Sequence, residues 1–248
     1  MGALPRATPR PSRYGVLQPP SLAKASPGRM SGKSPEWVNL MLDGPPETTL
    51  ASALEKLTKQ ARAVATKRTK QLGQPDAHAL RVAGLAAEIA YRLGFSKTQI
   101  EAVVEGALLH DLGKTSVPDA ILNQPRRLTT AEYARVMQHP VWGAALVEGF
   151  VADGALLAIR HHHEWWNGTG YPARLAAHDI PIEARIVGIA DAFIAMREVR
   201  PYRPALSHQT AVGELRQGAR KQFDPQLVDP LIDSLAADDS RSLRLVVH

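Results

Sequence analysis

Seven residues constrain this chain more than anything else in it: His78, His110, Asp111, His139, His162, His163 and Asp191. They sit in five separate segments that are otherwise apolar and helix-like, and each has the side chain of a metal ligand. Five of the nine histidines are among them. Burying an imidazole or a carboxylate is costly unless it is hydrogen-bonded, paired or bound to a cation. Singly, each has an ordinary explanation. His110-Asp111 reads as a capping pair, His78 and His139 as packed histidines, His162-His163 as part of a histidine run, and Asp191 as half of a buried ion pair. Together those explanations require five independent accidents. One helical domain folded around a metal site accounts for all of them.

The rest of the composition fits a helical domain. Aromatic residues make up 5% of the chain while alanine and leucine are plentiful, which favours helices over a β-sandwich. The 248 residues suffice for one full-sized core and a small appendage. There is no cysteine, so disulfides and thiolate metal sites are excluded. The net charge of +6 is unevenly placed: residues 1–70 hold 12 Lys+Arg against 4 Asp+Glu, leaving 18 against 20 in the remainder. The basic character therefore belongs to the N-terminal part. No aromatic residues interleave with it, so nucleic acid is not the expected partner. No apolar run approaches the roughly 18–20 residues needed to span a bilayer, and no apolar signal core follows the first basic residues. A cytoplasmic protein is expected.

Residues 1–47 are rich in proline with scattered serine, glycine and arginine, and read as a disordered leader. Residues 48–72 read as a connector helix, residues 73–238 as the domain, and 239–248 as a tail. Within the domain, 75–94 is the strongest helix: His78, Val82, Leu85, Ile89 and Leu93 share one stripe, and Gly94 is a C-cap candidate. Further helices are expected at 96–110, 129–138, 140–152, 154–163, 181–196, 207–218 and 224–236. Pro140 places His139 at a corner, and a glycine-rich loop spans Asn167–Gly170.

Imidazole and carboxylate without thiolate suit Fe, Mn, Zn, Ni or Co better than Ca or Mg. Adjacent side chains cannot point the same way from a regular helix, but at a helix end, as at His110-Asp111, they can. Glu164 is a candidate to orient one of the neighbouring histidines. Seven ligands are too many for one ion and suit two ions sharing a bridging aspartate. Two such ions clamp a phosphoryl group and activate water. Lys114, Arg200 and Arg203 offer positive charge for phosphate oxygens.

At this point the motifs resemble a known family. HDLGK (110–114), VPDAILNQPRRLT (117–129), His139 to Gly143, HHEWWNGTGYP (162–172), IADAF (189–193), RPYR (200–203) and QFDP (222–225) resemble, in that order, the HD-GYP domain. The resemblance covers about residues 75–236. It implies an all-α fold, a helical bundle of the HD phosphohydrolase superfamily around a binuclear metal site. It also implies a phosphodiesterase that opens the cyclic dinucleotide cyclic di-GMP to the linear dinucleotide or to GMP, with iron or manganese. The family's metal ligands fall on the seven residues already named, with Asp111 bridging. Lys114 falls on the lysine beside the metals, Arg200 and Arg203 on phosphate contacts, and Gly170, Tyr171 and Pro172 on the loop that gives the family its name. Gln74 stands where some members carry a glutamate for a third metal, so two ions are expected. Asn167 and Ile194 replace carboxylates, Trp165 replaces a basic residue, and Gln124 and Arg126 replace the more usual lysine and glycine. Control is expected to come from a signalling protein partner.

Overall fold

The computed structural model describes Lys59, residues 77–199 and residues 204–242. The leader (1–47), the connector helix (48–72, Lys59 excepted), Gln74, Arg200, Arg203 and the last residues of the tail lie outside the described residues.

Nine α-helices follow one another within the described residues from 77 to 242: α1 Ala77–Arg92, α2 Lys97–Leu109, α3 Asp119–Leu122, α4 Thr130–Val136, α5 His139–Val147, α6 Asp153–His161, α7 Ile182–Arg197, α8 His208–Gly218 and α9 Pro225–Ser242. Short 3₁₀ turns sit at Leu112–Ser116 and Ala177–Asp179. No strand occurs among the described residues, and an isolated bridge joins Ala219 and Phe223. The all-α expectation holds. The short helix α3 was not expected, and α5 stops at Val147 rather than running to 152 because Gly149 turns the chain at φ +75°. The last helix continues to Ser242, into the segment read as tail.

Local chemistry explains the helix starts. Ser96 and Thr129 each close a capping box, with Gln99 and Glu132 respectively, so backbone donors at both ends of the exchange are satisfied. Asp224 accepts from Gln226 N at 2.9 Å at the start of α9, and its other oxygen takes Arg185 Nη1 at 2.6 Å. Arg185 Nε donates to Ile180 O, tying α7, its preceding loop and α9 together.

Helices α1, α2, α6 and α7 form the centre: α1 packs on α2 and α7, and α6 on α2 and α7. Small residues let them approach closely, with Ala83, Ala86, Ala87, Ala107 and Ala158 buried among Val82, Ile89, Val103, Ile159, Ile186 and Ile189. On the α1 stripe Val82 and Ile89 are fully buried, while Leu85 and Leu93 pack at its margin. The 3₁₀ turn after α2 lies against α5 through Gly113: a Cβ there would sit 2.5 Å from Gly143 N and 2.8 Å from the His139 carbonyl carbon. Only glycine permits that approach, and it carries His110-Asp111 up to His139.

Candidate metal centre

The histidines converge from helix ends. His110 caps the C-terminus of α2, His139 opens α5, and His162 caps the C-terminus of α6. Asp111 leaves helical geometry at φ −95°, ψ 2°, which turns its carboxylate back beside His110. His163 follows on the next residue, Asp191 comes from the middle of α7, and His78 comes from the first turn of α1.

Three of the imidazoles are held the same way. Nδ1 of His110, His139 and His162 lies 2.7, 2.8 and 2.9 Å from the carbonyl oxygens of Ala107, Val136 and Ile159. A carbonyl only accepts, so each Nδ1 carries the hydrogen and each Nε2 is left as the lone-pair nitrogen in the neutral ring. Those Nε2 atoms face one another and Asp111. His139 Nε2 lies 3.4 Å from His162 Nε2 and 3.3 Å from Asp111 Oδ1. His110 Nε2 lies 3.5 Å from Asp111 Oδ2 and 3.9 Å from Asp191 Oδ1. On the far side His78 Nε2 is 3.0 Å from Asp191 Oδ1.

Two groups of donor atoms result, each within 4.8 Å of one another: Asp111, His139, His162 and His163, and His78, His110 and Asp111. Asp111 belongs to both. All seven residues singled out in the sequence thus gather in one place. The donor set fits divalent cations on two counts. It is nitrogen and carboxylate oxygen from buried or half-buried side chains, and His110 Nε2 and Asp111 Oδ1 are buried with no hydrogen-bond partner. Buried polar atoms left so are rare in native proteins.

Electrostatics agree. Burial holds His162 well below, and His163 down to about 3 from, the usual imidazole range, and the neighbouring imidazoles add to it. Both imidazoles are therefore neutral. Burial also opposes a proton on His110, but the Asp111 carboxylate outweighs it and pushes the group up to about 9. Burial opposes the charge on Asp111, yet His110 and Lys114 hold its carboxyl well below the usual range. Lys114 Nζ sits 2.6 Å from Asp111 Oδ2, half-exposed at the mouth of the site.

Tyr171 lies with its ring centroid 4.8 Å from that of His163. Burial keeps its phenol protonated. A Cβ on Gly170 would fall 2.5 Å from His163 O and 2.6 Å from Glu164 Cα, so this loop passes directly over the histidine pair. Glu164 does a different job from the one expected of it. Its carboxylate accepts from Ala173 N at 2.6 Å and Leu175 N at 3.0 Å, and so pins the loop instead of orienting His162 or His163. Its histidine neighbour is His161, at 3.6 Å. Sequence reasoning also missed Glu198, which lies 3.0 Å from His78 Nδ1.

With this geometry in view, comparison with known proteins is decisive. A model of the HD domain matches residues 46–227. The chain belongs to the HD domain family. Two relatives agree with the HD-GYP resemblance. The cyclic di-GMP phosphodiesterase response regulator RpfG of Xanthomonas campestris pv. campestris is 37% identical over 182 residues, covering 72% of this chain and 47% of that protein. The 3'3'-cGAMP-specific phosphodiesterase 2 of Vibrio cholerae is 31% identical over 201 residues, covering 80% and 37%. Among solved structures, the HDG"Y"P protein Bd1817 of Bdellovibrio bacteriovorus superposes with a TM-score of 0.56 at 21% identity, covering 75% of this chain and 64% of that one. That likeness establishes the shared HD fold. The chain spans less than half the length of these two sequence relatives. HD domain phosphohydrolases bind divalent metals, and the clustered histidines and aspartates of this member are suited to them. No helix among the described residues is long and apolar enough to cross a membrane.

Proposed function

We propose that this HD domain is a metal-dependent phosphodiesterase that hydrolyses cyclic di-GMP to the linear dinucleotide, to GMP, or to both. The observation that carries the reading is Asp111, shared by two donor groups whose remaining members are histidines, with buried atoms otherwise unpartnered. On this reading His139, His162 and His163 hold one divalent transition-metal ion, His78, His110 and Asp191 hold the other, and Asp111 serves both. The imidazole and carboxylate set suits Fe, Mn, Zn, Ni or Co, and among these the HD-GYP resemblance favours iron or manganese. Two such ions neutralise phosphoryl oxygens and acidify water at the centre.

The chain's own residues do the rest. Lys114 offers an ammonium group that neutralises Asp111 from one side and meets a substrate phosphate, or a leaving oxygen in need of a proton, from the other. Tyr171, protonated throughout the physiological range, offers a hydroxyl donor and an aromatic face beside His163. Glu164 fixes the loop that carries it. Arg200 and Arg203 contact the substrate phosphates by resemblance.

The test is anaerobic incubation of the purified chain with Mn²⁺ or Fe²⁺ and either cyclic di-GMP or 3'3'-cGAMP, with products resolved by chromatography and Asp111→Ala as control. Linear dinucleotide or GMP from cyclic di-GMP, absent in the variant, supports the reading. Turnover confined to 3'3'-cGAMP moves the substrate to the mixed dinucleotide, in keeping with Ile194 and Asn167 standing where carboxylates are common. Neither product with metal bound moves the reaction to another phosphate ester. Neither product and no metal leaves a nucleotide- or partner-binding signalling module.

A further inference from the structure

Three of the metal-site histidines lean on backbone carbonyls, but His78 does not. It stands in the first turn of α1, and its Nδ1 points at the carboxylate of Glu198, 3.1 Å from Oε1 and 3.0 Å from Oε2. Glu198 is the first residue after α7. Its backbone is extended there, at φ −99°, ψ 144°, and the side chain turns back toward the start of α1. Arg81, one turn beyond His78 on the same helix, grips Glu198 Oε1. The end of α7 is itself held, by Leu206 N donating to Met196 O at 2.9 Å. Glu198 thus follows a tethered helix end, and a guanidinium holds its carboxylate.

A carboxylate can only accept from an imidazole N–H, and His78 faces one at each ring nitrogen, Glu198 at Nδ1 and Asp191 at Nε2; an ion taking Nε2 would leave the ring hydrogen on Nδ1, held by Glu198. We propose that Glu198 is a positioning residue of the metal centre, holding Nδ1–H of His78 so that Nε2 stays aimed at Asp191 and the ion site. It does for His78 what Ala107, Val136 and Ile159 carbonyls do for the others. The inference rests on the metal-centre reading but not on the substrate. Outer carboxylates of this kind are typically worth about 10–100-fold in metal affinity.

The experiment is calorimetric titration of the full chain with Co²⁺ alone, with the visible absorption of bound Co²⁺ recorded alongside. Glu198→Ala is expected to weaken one class of Co²⁺ site by about 10–100-fold and to alter its absorption. Glu198→Gln, which keeps an acceptor oxygen, is expected to bind within a few-fold of wild type. In a His78→Ala background, Glu198→Ala is expected to add nothing. Wild-type affinity in Glu198→Ala overturns the proposal. So does a Glu198→Gln variant as impaired as the alanine, which makes the carboxylate a ligand or a bare charge, and so does an undiminished effect without His78. Wild-type protein that takes up no Co²⁺ overturns it together with the metal centre. Co²⁺ binding with the expected pattern but no turnover of any cyclic dinucleotide refutes the phosphodiesterase reading and supports this one.

Discussion

Replacing Gly113 with alanine tests whether the approach of the 3₁₀ turn to α5 builds the site. The added methyl would stand 2.5 Å from Gly143 N and 2.8 Å from the His139 carbonyl carbon, and closer still to the His139 carbonyl oxygen. Carbon contacts settle at roughly 3.5 Å or more, so the two backbones must part by about 1 Å. All the obstructing atoms are backbone, and none can swing aside as a flexible side chain would. Overpacking of this kind costs about 1–3 kcal/mol, or a melting temperature lower by roughly 2–12 °C for a domain of this size. The more specific consequence is at the centre. His139 moves with its carbonyl and Asp111 with its turn, and their Nε2 and Oδ1 now stand 3.3 Å apart. A misplacement of about 1 Å costs on the order of 100-fold in turnover. The assay is thermal unfolding and metal titration of Gly113→Ala beside Gly84→Ala. A Cβ on Gly84, inside α1, meets nothing within 4 Å, so that change should stabilise by about 0.4–1 kcal/mol. If the two variants melt alike and Gly113→Ala retains wild-type metal affinity, the close approach is not what brings the ligands together.

The remaining tests address other parts of the frame. Asp224→Ala strands Arg185, whose side chain is buried against it, and should cost about 3–5 kcal/mol in urea unfolding while the metal ligands stay in place. Pro140→Ala returns an N–H that can compete for the Val136 carbonyl now taken by His139 Nδ1; metal affinity should fall about 2–10-fold, the worth of one hydrogen bond, with little change in unfolding. Loading metal must displace the proton that Asp111 keeps on His110. With that group at about 9 in the metal-free site, apparent affinity should rise with pH from neutral towards about 9 and level off above it. Calorimetry in two buffers of different ionisation enthalpy reads the released proton, and an affinity flat over this range would contradict the assignment.

Much of this was legible in the sequence because burial and ligand chemistry conflict there. An aspartate between Ala190 and Ala192 in a run as apolar as Ile186–Phe193, or a histidine after Leu108-Leu109, has few ordinary explanations, so the seven side chains that gather in one place could be picked out from the sequence. The helices bearing them followed from their stripes and caps. What was not legible depends on direction. Glu164 next to His163 looked like its support, yet its carboxylate faces the loop amides of Ala173 and Leu175, because the turn after α6 reverses the chain. Glu198 stands 120 residues from His78 in the sequence, and only the packing of α7 on α1 brings the two together. Arg185 and Asp224, 39 residues apart, carry no local pattern that pairs them.

The placement of these histidines at helix ends has a physical cause beyond convenience. The last carbonyls of a helix have no N–H four residues on to bond them. Ala107, Val136 and Ile159 all lie in the final turns of α2, α4 and α6, and each takes its hydrogen from the imidazole three residues ahead. At Val136 the reason is explicit: the residue four positions on is Pro140, which has no N–H to give. One hydrogen bond therefore completes the helix end and fixes which ring nitrogen is left bare. The cost of ordering each imidazole is shared with the cost of ending a helix, so the three Nε2 atoms are preset before any ion arrives. His78 begins a helix, where the free groups are donors and no carbonyl is on offer. It needs an acceptor from elsewhere in the fold, and Glu198 is the one that reaches it.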